Sequence, residues 1–187
     1  MHYRPSITIL SKVTLVPPDL QMAKALFQTI QENFSHLSRF LDFITEDMTV
    51  DEEKSYLKMM IQHQAEQKGQ LFLIYYEDTL IGTIDLHKID TKNSKAEVGY
   101  WIAKGYTGKR ITTASVKFIC GYAFHHLGLN KLTIVADVRN LASNKVARNA
   151  GFHFVAMDVQ DTYDGKHYRD MNRYRLLKDD FDLSQDH

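Results

Sequence analysis

Hydrophobic and polar positions follow two different periods in the first part of the chain. Residues 7–16 alternate with a period of two, which predicts a strand. Pro17-Pro18-Asp19 then starts a predicted helix, in which apolar residues recur every three or four positions up to Phe34. Thr49 and Glu52 form a capping-box pattern, which predicts the start of a second helix.

Strands and helices alternate over the rest of the sequence. Two β-rich runs separated by Glu77-Asp78-Thr79 predict an antiparallel hairpin. The remaining pattern predicts strands at 72–76, 80–90, 96–103, 131–138, from 152 onward and at 167–177, and helices at 112–127 and 141–150. Hairpins followed by strand–helix alternation predict a mixed sheet with helices on both faces, an α/β or α+β fold, in a single domain spanning residues 1–187.

The composition narrows the class of protein further. With 44% hydrophobic and 25% charged residues and only three prolines, the 187-residue chain is neither disordered nor fibrous. Cys120 is the single cysteine, so no internal disulfide can form, which favours a cytoplasmic location. The apolar run that follows Arg4 and Pro5 is too short for a signal peptide, and no window reaches membrane-spanning length, so no membrane association is expected.

The charges are unevenly distributed although the net charge is zero. Residues 95–148 contain nine lysines and arginines against two acidic residues, whereas residues 42–53 contain six acidic residues and no base. This division fits an anionic ligand at the basic stretch and a cationic acceptor at the acidic segment, or else ordinary solvated helix surfaces. A nucleic-acid-binding module is not favoured, because the bases surround one glycine-containing loop.

That loop, GYTGKR at 105–110, joins a predicted strand to a predicted helix. Backbone N–H groups and the positive end of the helix dipole make such a junction a natural site for phosphate, although a purely structural turn has the same sequence features. It is not a Walker loop, because Arg110 stands where Ser or Thr would bind magnesium and Ala103 replaces the leading glycine.

Five segments carry a family resemblance: AEVGYWIA at 96–103, the glycine loop, YAF at 122–124 with LNK at 129–131, NLASN at 140–144, and Gly151-Phe152. In these segments the chain resembles the GNAT N-acetyltransferases, specifically the RimJ/RimL branch, which acetylates the N-terminal amine of ribosomal proteins. The resemblance implies a mixed, mostly antiparallel sheet of about seven strands with a splayed central pair. It also implies acetyl-CoA as the cosubstrate.

The resemblance assigns cofactor contacts to two regions and a catalytic role to Ser143. The pantetheine arm would bond main chain in the splayed strand and Asn140, the loop would hold the pyrophosphate, and Ser143 would be the acid for the leaving thiolate. The implied cofactor-binding residues are Trp101, Ile102, Ala103, Tyr106, Thr107, Gly108, Lys109, Arg110, Ile111, Thr112, Thr113, Asn140 and Ser143. Turn formation and helix capping are the structural alternative for Asn140 and Ser143.

Two family positions differ in the loop: Gly105 stands at the first position and Arg110 at the last, where the family usually has Gly or Ala. Arg110 costs roughly 1–3 kcal/mol if its backbone has a positive φ, whereas an ordinary backbone would leave its guanidinium free to grip phosphate.

The general base is not fixed by the resemblance. The family glutamate after Gly-Phe aligns with Thr162. The neighbouring Asp161 is a candidate base only if a bulge turns it, because adjacent residues of a regular strand face opposite sides. Glu97 on the splayed strand is the alternative base, or else forms a salt bridge on the strand face. Cys120 is expected to be a buried small residue rather than a nucleophile. No metal site is predicted, because the histidines are scattered.

The sequence therefore leads to three functional hypotheses. The first is direct acetyl transfer from acetyl-CoA to an amine, without a covalent enzyme intermediate, the amine being the N-terminus of a ribosomal or other protein. The second is acetylation of a small amine such as a polyamine or an aminoglycoside. The third is a non-catalytic relative that binds CoA or a protein partner. Because GNAT relatives often dimerise, a homodimer is left open.

Overall fold

The computed structural model describes residues 6–185, so Arg4 and Pro5 lie outside the described residues. The strands are β1 Ile7–Leu10, β2 Val13–Val16, β3 Gln70–Tyr76, β4 Thr79–Asp90, β5 Lys95–Ile102, β6 Lys131–Asp137, β7 His153–Tyr163 and β8 Tyr168–Leu177. The α-helices are α1 Ala23–Glu32, α2 Phe34–Leu37, α3 Val50–Ala65, α4 Ile111–His125, α5 Leu141–Asn149 and α6 Lys178–Gln185. Single 3₁₀ turns cover Leu20–Met22 and Lys104–Tyr106.

The eight described strands form one sheet in the order β1-β2-β3-β4-β5-β6-β8-β7. Among them, β5 and β6 are the parallel pair and the other neighbours are antiparallel. The predicted mixed, mostly antiparallel sheet is confirmed. The count is eight because the run predicted as one strand folds back at Ser11-Lys12, so that Leu10 pairs with Val13.

Helices cover both faces of the sheet, as predicted. Alternate residues of β3 point to opposite sides, with Phe72 and Ile74 in one buried cluster and Leu71 and Leu73 in the other. The first cluster is closed by α4, α5 and α6, and the second by α1 and α3. The sheet is therefore buried over most of its area by two separate cores.

Local signals explain where the helices begin and end. Thr49 Oγ1 accepts from the Glu52 N–H at 3.3 Å and the Glu52 carboxylate accepts from the Thr49 N–H at 2.7 Å, so the predicted capping box is present. The first predicted helix is instead interrupted at Asn33, whose Oδ1 accepts from the Lys104 N–H at 2.8 Å. That bond ties the end of α1 to the end of β5.

The central strands β5 and β6 separate along their length. They pair only from Lys95 to Glu97 with Lys131 to Thr133. Beyond that point each strand stays bonded to its outer neighbour: Ile102 is opposite Gly82 of β4, and Asp137 is opposite Met171 of β8. Each strand keeps its hydrogen bonds to its outer neighbour while β5 and β6 separate from each other, so the predicted splay is present. No helix in the described part of the chain is long and apolar enough to cross a membrane.

Candidate active site

A cleft of about 880 Å³ opens in the splay between β5 and β6. Its lining comes from five other parts of the chain as well: α2 and the residues after it, His87 of β4, the glycine loop with the first turn of α4, α5 with the residues before it, and Met171 of β8. A volume of this size lies within the range of small-molecule sites. The fold therefore brings the predicted loop and Ser143 to one cavity.

The glycine loop forms one end of this cleft, and residues 106–113 all line it. Gly108 has φ +75° and Arg110 has φ +62°, two left-handed residues that turn the chain into α4. The first helical bond runs from the Ala114 N–H to the Arg110 carbonyl, so the preceding amides of α4 have no intrahelical acceptor. Lys109 Nζ lies 4.9 Å from the centre of the Tyr106 ring. Free amides, a helix N-terminus and two exposed cations fit a pyrophosphate.

Arg110 departs from the family pattern, and its positive φ shows whether its backbone is strained or ordinary. A non-glycine residue in the left-handed region carries strain, so Arg110 corresponds to the strained case. Its side chain is exposed and lines the cleft, so the guanidinium also lies within the volume available to an anion.

The register of β5 determines which main-chain groups face the cleft. The Ala103 N–H donates to the Ile81 carbonyl at 2.7 Å and therefore points toward β4. Main-chain groups alternate in direction along an antiparallel strand, so those of Ile102 and Tyr100 point the other way, into the splay. Of the three positions predicted to bond the pantetheine arm, only Ile102 both lines the cleft and turns its main-chain groups into the splay. Trp101 lines the cleft, but its main-chain groups point toward β4 like those of Ala103, which is not in the lining.

Ser143 lies in the first turn of α5, where its backbone N–H and its hydroxyl each have a partner. Asn140 caps the helix, its Oδ1 accepting from the Ser143 N–H at 3.1 Å. The Tyr100 hydroxyl lies 3.0 Å from Ser143 Oγ and 3.1 Å from the Ser143 carbonyl, so its one proton can be donated to either oxygen. Burial raises the pKa of Tyr100 to about 12, so this phenol stays protonated as a hydrogen-bond donor. Helix capping and cleft placement thus coexist at Asn140 and Ser143.

A buried amide anchors the helix that carries Ser143. Asn144 donates to the Asp137 carbonyl at 2.9 Å and to the Asn140 carbonyl at 2.8 Å. Its Oδ1 accepts from Asn172 and from the Tyr174 hydroxyl, both at 2.7 Å. Because every donor and acceptor of this side chain is used, α5 is fixed to the ends of β6 and β8.

Glu97 lies where β5 and β6 begin to part, and it is already bound to two basic side chains. Its Oε2 accepts from Lys88 Nζ at 2.9 Å and lies 3.4 Å from His87 Nε2. These contacts, the His87 hydrogen bond first, lower the pKa of Glu97 to about 2 against the opposing effect of burial. The predicted salt bridge is therefore present, and the carboxylate is a weak proton acceptor on its own.

Asp161 and the acidic segment lie outside the cleft lining. Asp161 is exposed on β7, in a stretch where the register with β8 shifts. In the acidic segment, Asp42 pairs with the buried Arg169, and Glu52 caps α3. None of the acidic residues at 42–53 is among the residues that line the cleft, so the expectation that this segment lines an entrance for a cationic acceptor stays a prediction.

The mouth of the cleft is formed instead by α2 and the following turn, including His36, Arg39 and Phe40. Burial lowers the pKa of His36, opposed by the backbone carbonyl of Ile102. On the far side Asp137 is buried and accepts from Arg139 at 2.9 Å. The mouth therefore presents neutral, aromatic and basic groups.

Cys120 lies on the buried side of α4, where burial raises the pKa of its thiol. It is not among the residues that line the cleft. Among residues 6–185, no group of three or more His, Cys, Asp or Glu side chains is arranged to hold a metal ion.

Sequence reasoning missed three of the groups that shape the site: the Tyr100 hydroxyl as partner of Ser143, Asn144 as the anchor of α5, and His87 beside Glu97. Tyr100 alternates with Ile102 on β5, which is the one signal in the sequence that could have placed it in the splay. The other two contacts depend on pairings between distant segments.

The fold and this cleft define an acetyltransferase of the GNAT class. Comparison with protein families matches residues 12–153 to the acetyltransferase (GNAT) domain. The chain belongs to this family, is an acyltransferase, and uses acetyl-CoA as its cosubstrate.

Relatives and solved structures agree with this class. The chain is 34% identical to a putative ribosomal N-acetyltransferase, YdaF, of Bacillus subtilis, over 83% of this chain and 86% of that protein. It is 26% identical to the ribosomal-protein-serine acetyltransferase of Escherichia coli, over 83% and 87%. A crystal structure described as a probable acetyltransferase superposes with a TM-score of 0.88 at 30% identity, over 94% of this chain and 98% of that chain. RimL in complex with coenzyme A shares the fold, with a TM-score of 0.89 at 23% identity, over 94% and 99%.

Proposed function

We propose that the protein transfers acetyl from acetyl-CoA to the N-terminal amine of a protein, with a ribosomal protein as the favoured acceptor. The observation that carries the choice of acceptor is the charge of the cleft. Its lining contains two carboxylates, Glu97 and Asp137, against five lysines and arginines. Both carboxylates are already paired with cations. A singly charged peptide amine suits this lining better than a polyamine, which needs several free carboxylates.

The relatives support the same choice. The two described above are named for ribosomal-protein acetylation and match more than four fifths of the chain. The spermidine N(1)-acetyltransferase of Escherichia coli is 24% identical over 63% of the chain. A polyamine acceptor is therefore the second candidate. A ribosomal acceptor would place the reaction in the cytoplasm.

Two parts of the cleft bind different parts of acetyl-CoA in this proposal. The amides and cations of the loop hold the pyrophosphate, and the main-chain groups of Tyr100 and Ile102 bond the pantetheine arm in the manner of a neighbouring strand. Bound in this way, acetyl-CoA supplies an activated acetyl group.

Ser143 acts as the proton donor in this proposal. When the Tyr100 hydroxyl donates to Ser143 Oγ, the Ser143 proton is free to point into the cleft, toward the departing sulfur. Transfer is direct to the amine, since Cys120 is buried away from the cleft and its thiol is held protonated. Asp161 is not among the residues that line the cleft and is given no role in this proposal, and Glu97 is an ionic partner where the splay begins.

A panel of acceptors tests the proposal. We expect radiolabelled acetyl-CoA to label a peptide with a free N-terminus, and not the same peptide with a blocked N-terminus and an internal lysine. The α-amine, with a pKa of about 8, loses its proton far more readily than lysine, with a pKa of about 10.4. Labelling of spermidine or an aminoglycoside alone would contradict the protein acceptor, and labelling of none would favour the non-catalytic alternative. Homodimer formation stays a prediction, which analytical ultracentrifugation measures.

A further inference from the structure

A second group of polar side chains lies on the α3 side of the sheet, where β5 begins to leave β6. The register places His87 of β4 opposite Glu97 of β5, and Asp85 opposite Gly99. His87 Nδ1 lies 2.7 Å from Asp85 Oδ2, and Nε2 lies 3.4 Å from Glu97 Oε2. The imidazole therefore bridges two carboxylates.

Gly99 makes this arrangement possible. A Cβ atom at position 99 would lie 2.6 Å from Asp85 Oδ1, closer than any real side chain allows. With glycine there, the Asp85 carboxylate leans over the β5 backbone and reaches His87. Asp85 is mostly covered, with a side-chain exposure of 18%, whereas the His87 side chain is 41% exposed.

His87 is open to the same cleft that contains Ser143. The lining runs without interruption in sequence from Glu97 through Tyr100 along β5 and includes His87, which is opposite Glu97. Tyr100, which contacts Ser143, is three residues from Glu97 and thus about 10 Å along the strand. An amine between them would lie between the proton donor and the imidazole.

We propose that His87 is the base that takes the proton from the incoming amine, and that Asp85 is the positioning residue that holds its ring. This inference rests on the proposed function, since it assumes an amine acceptor in this cleft. Asp85 accepts from Nδ1–H, so in the neutral ring Nε2, which lies beside Glu97 Oε2 in the cleft lining, is the nitrogen that can gain a proton. In the protonated ring Nε2–H faces the Glu97 carboxylate, which stabilises the charge.

Acetyl transfer to an ammonium ion releases one proton overall. The acceptor arrives as an ammonium ion and gives one proton to His87 Nε2, which leaves a lone pair on the amine nitrogen. The amine forms the new C–N bond to the acetyl carbon, the C–S bond breaks, and the sulfur leaves with its bonding electrons and takes a proton from Ser143. The amide nitrogen releases its second proton to restore the Ser143 hydroxyl, and His87 returns its proton to solvent.

The electrostatics distinguish His87 from Glu97 as the acceptor of the proton. Burial lowers the pKa of His87, but the hydrogen bonds from Asp85 and Glu97 outweigh it and raise the pKa to about 9. An imidazole with this pKa can take a proton from an α-amine, with a pKa of about 8, whereas Glu97, with a pKa of about 2, cannot do so efficiently.

Neighbouring elements contribute further charged and titratable groups to this region. On α3, burial and then the charges of Asp85 and Glu53 raise the pKa of Tyr56, so this phenol stays protonated. Lys88 of β4 is bound to Glu97. The balance at His87 is thus set mainly by the two carboxylates that touch it.

The test compares His87→Gln and Asp85→Asn with the wild type, using His126→Gln as the matched control because His126 is exposed and outside the cleft lining. At saturating peptide, we expect wild-type kcat to rise with pH toward a midpoint near 9. In His87→Gln kcat should fall by about 100-fold and lose this rise. In Asp85→Asn the midpoint should move down toward about 6.5, the ordinary histidine value, which a merely structural residue would not cause.

An NMR titration of the His87 ring gives a second readout that does not depend on turnover. The ring should titrate near pH 9 in the wild type and lower in Asp85→Asn. A His87→Gln variant that keeps wild-type kcat and the same pH profile overturns the inference, as does a ring that titrates equally in both proteins. A wild type that acetylates no amine is a different result: it overturns the proposed function, and this inference with it.

Discussion

Arg110 is the residue at which the chain departs most from its family, and its backbone shows the consequence. The family position is usually Gly or Ala, and here an arginine with φ +62° precedes α4. Sequence comparison could identify the departure but could not choose between strain and phosphate binding, because that choice depends on a dihedral angle.

The strain at position 110 is measurable. Replacing Arg110 by glycine should raise the unfolding free energy by about 1 kcal/mol, since the relief of roughly 1–3 kcal/mol exceeds the entropy cost of a glycine. For a chain of this length the melting temperature should rise by roughly 2–4 °C. Lys109→Gly is the control: Lys109 does not have a positive φ, so the same change there should lower the melting temperature.

Ser143 and Tyr100 form the second measurable pair. Ser143→Ala should lower kcat by about 100-fold with little change in KM for the peptide, because the hydroxyl acts on the leaving group. Tyr100→Phe keeps the Ser143 hydroxyl but removes its donor, so we expect a smaller loss. Steady-state kinetics at saturating acetyl-CoA checks both. Equal kcat in Ser143→Ala and the wild type would exclude Ser143 as the acid.

At the scale of elements, the sequence predicts most of the architecture and misses its junctions. The capping box at Thr49 and the period-two runs of β3 to β5 specify local structure and are confirmed. The break between α1 and α2 depends on a bond from Lys104 to Asn33, 71 positions away, and α6 packs Phe181 against Phe124. Such long-range contacts have no local signal, so neither junction could be read from the sequence.

The hydrogen bonds by which Asn144 anchors α5 are also long-range contacts, and their loss should lower the stability of the fold. Asn144→Ala leaves the Tyr174 and Asn172 donors without their shared acceptor in the core. We expect a loss of about 3 kcal/mol in unfolding free energy, or roughly 6–12 °C in melting temperature. Lys145→Ala on the exposed side of the same helix should change it by less than about 0.5 kcal/mol. A similar loss in both variants would contradict the anchoring role.

For the whole molecule, the buried Glu53 makes stability depend on pH. Burial first, and then Glu52, raises the pKa of Glu53 to about 7 from an ordinary value near 4.5. A raised pKa means that the folded state binds the proton more tightly, so this contribution to stability is fully present below pH 4.5 and is lost as the pH rises through 7.

Glu53→Gln removes this dependence. At pH 8 the variant should be more stable than the wild type, on the order of 1 kcal/mol after solvent screening, and the difference should vanish below pH 4.5. Denaturant unfolding across this pH range measures it. Asp51→Asn, at an exposed position in the same helical turn, should show no such difference. If the stability of Glu53→Gln relative to the wild type were lower at pH 8 than at pH 4.5, the predicted direction of the pH dependence would be wrong.

The site shows the same division between what the sequence specifies and what the fold adds. The glycine loop, Asn140 and Ser143 are recognisable because their spacing is local, and the structure brings them to one cleft. The contribution of α2 to the cleft was not predictable, and the sequence could not choose between a base and a salt bridge for Glu97, since both depend on α2, β4 and β5 meeting in space.

The splay between β5 and β6 holds acetyl-CoA through the loop at residues 106–113, and both catalytic proposals require this binding. Thermal unfolding with and without acetyl-CoA tests this most directly. A ligand at 100 times its dissociation constant stabilises the folded state by about 2.7 kcal/mol, which predicts a rise of roughly 5–11 °C in melting temperature, reduced in Lys109→Ala. No rise at millimolar acetyl-CoA would contradict the assignment of the cleft.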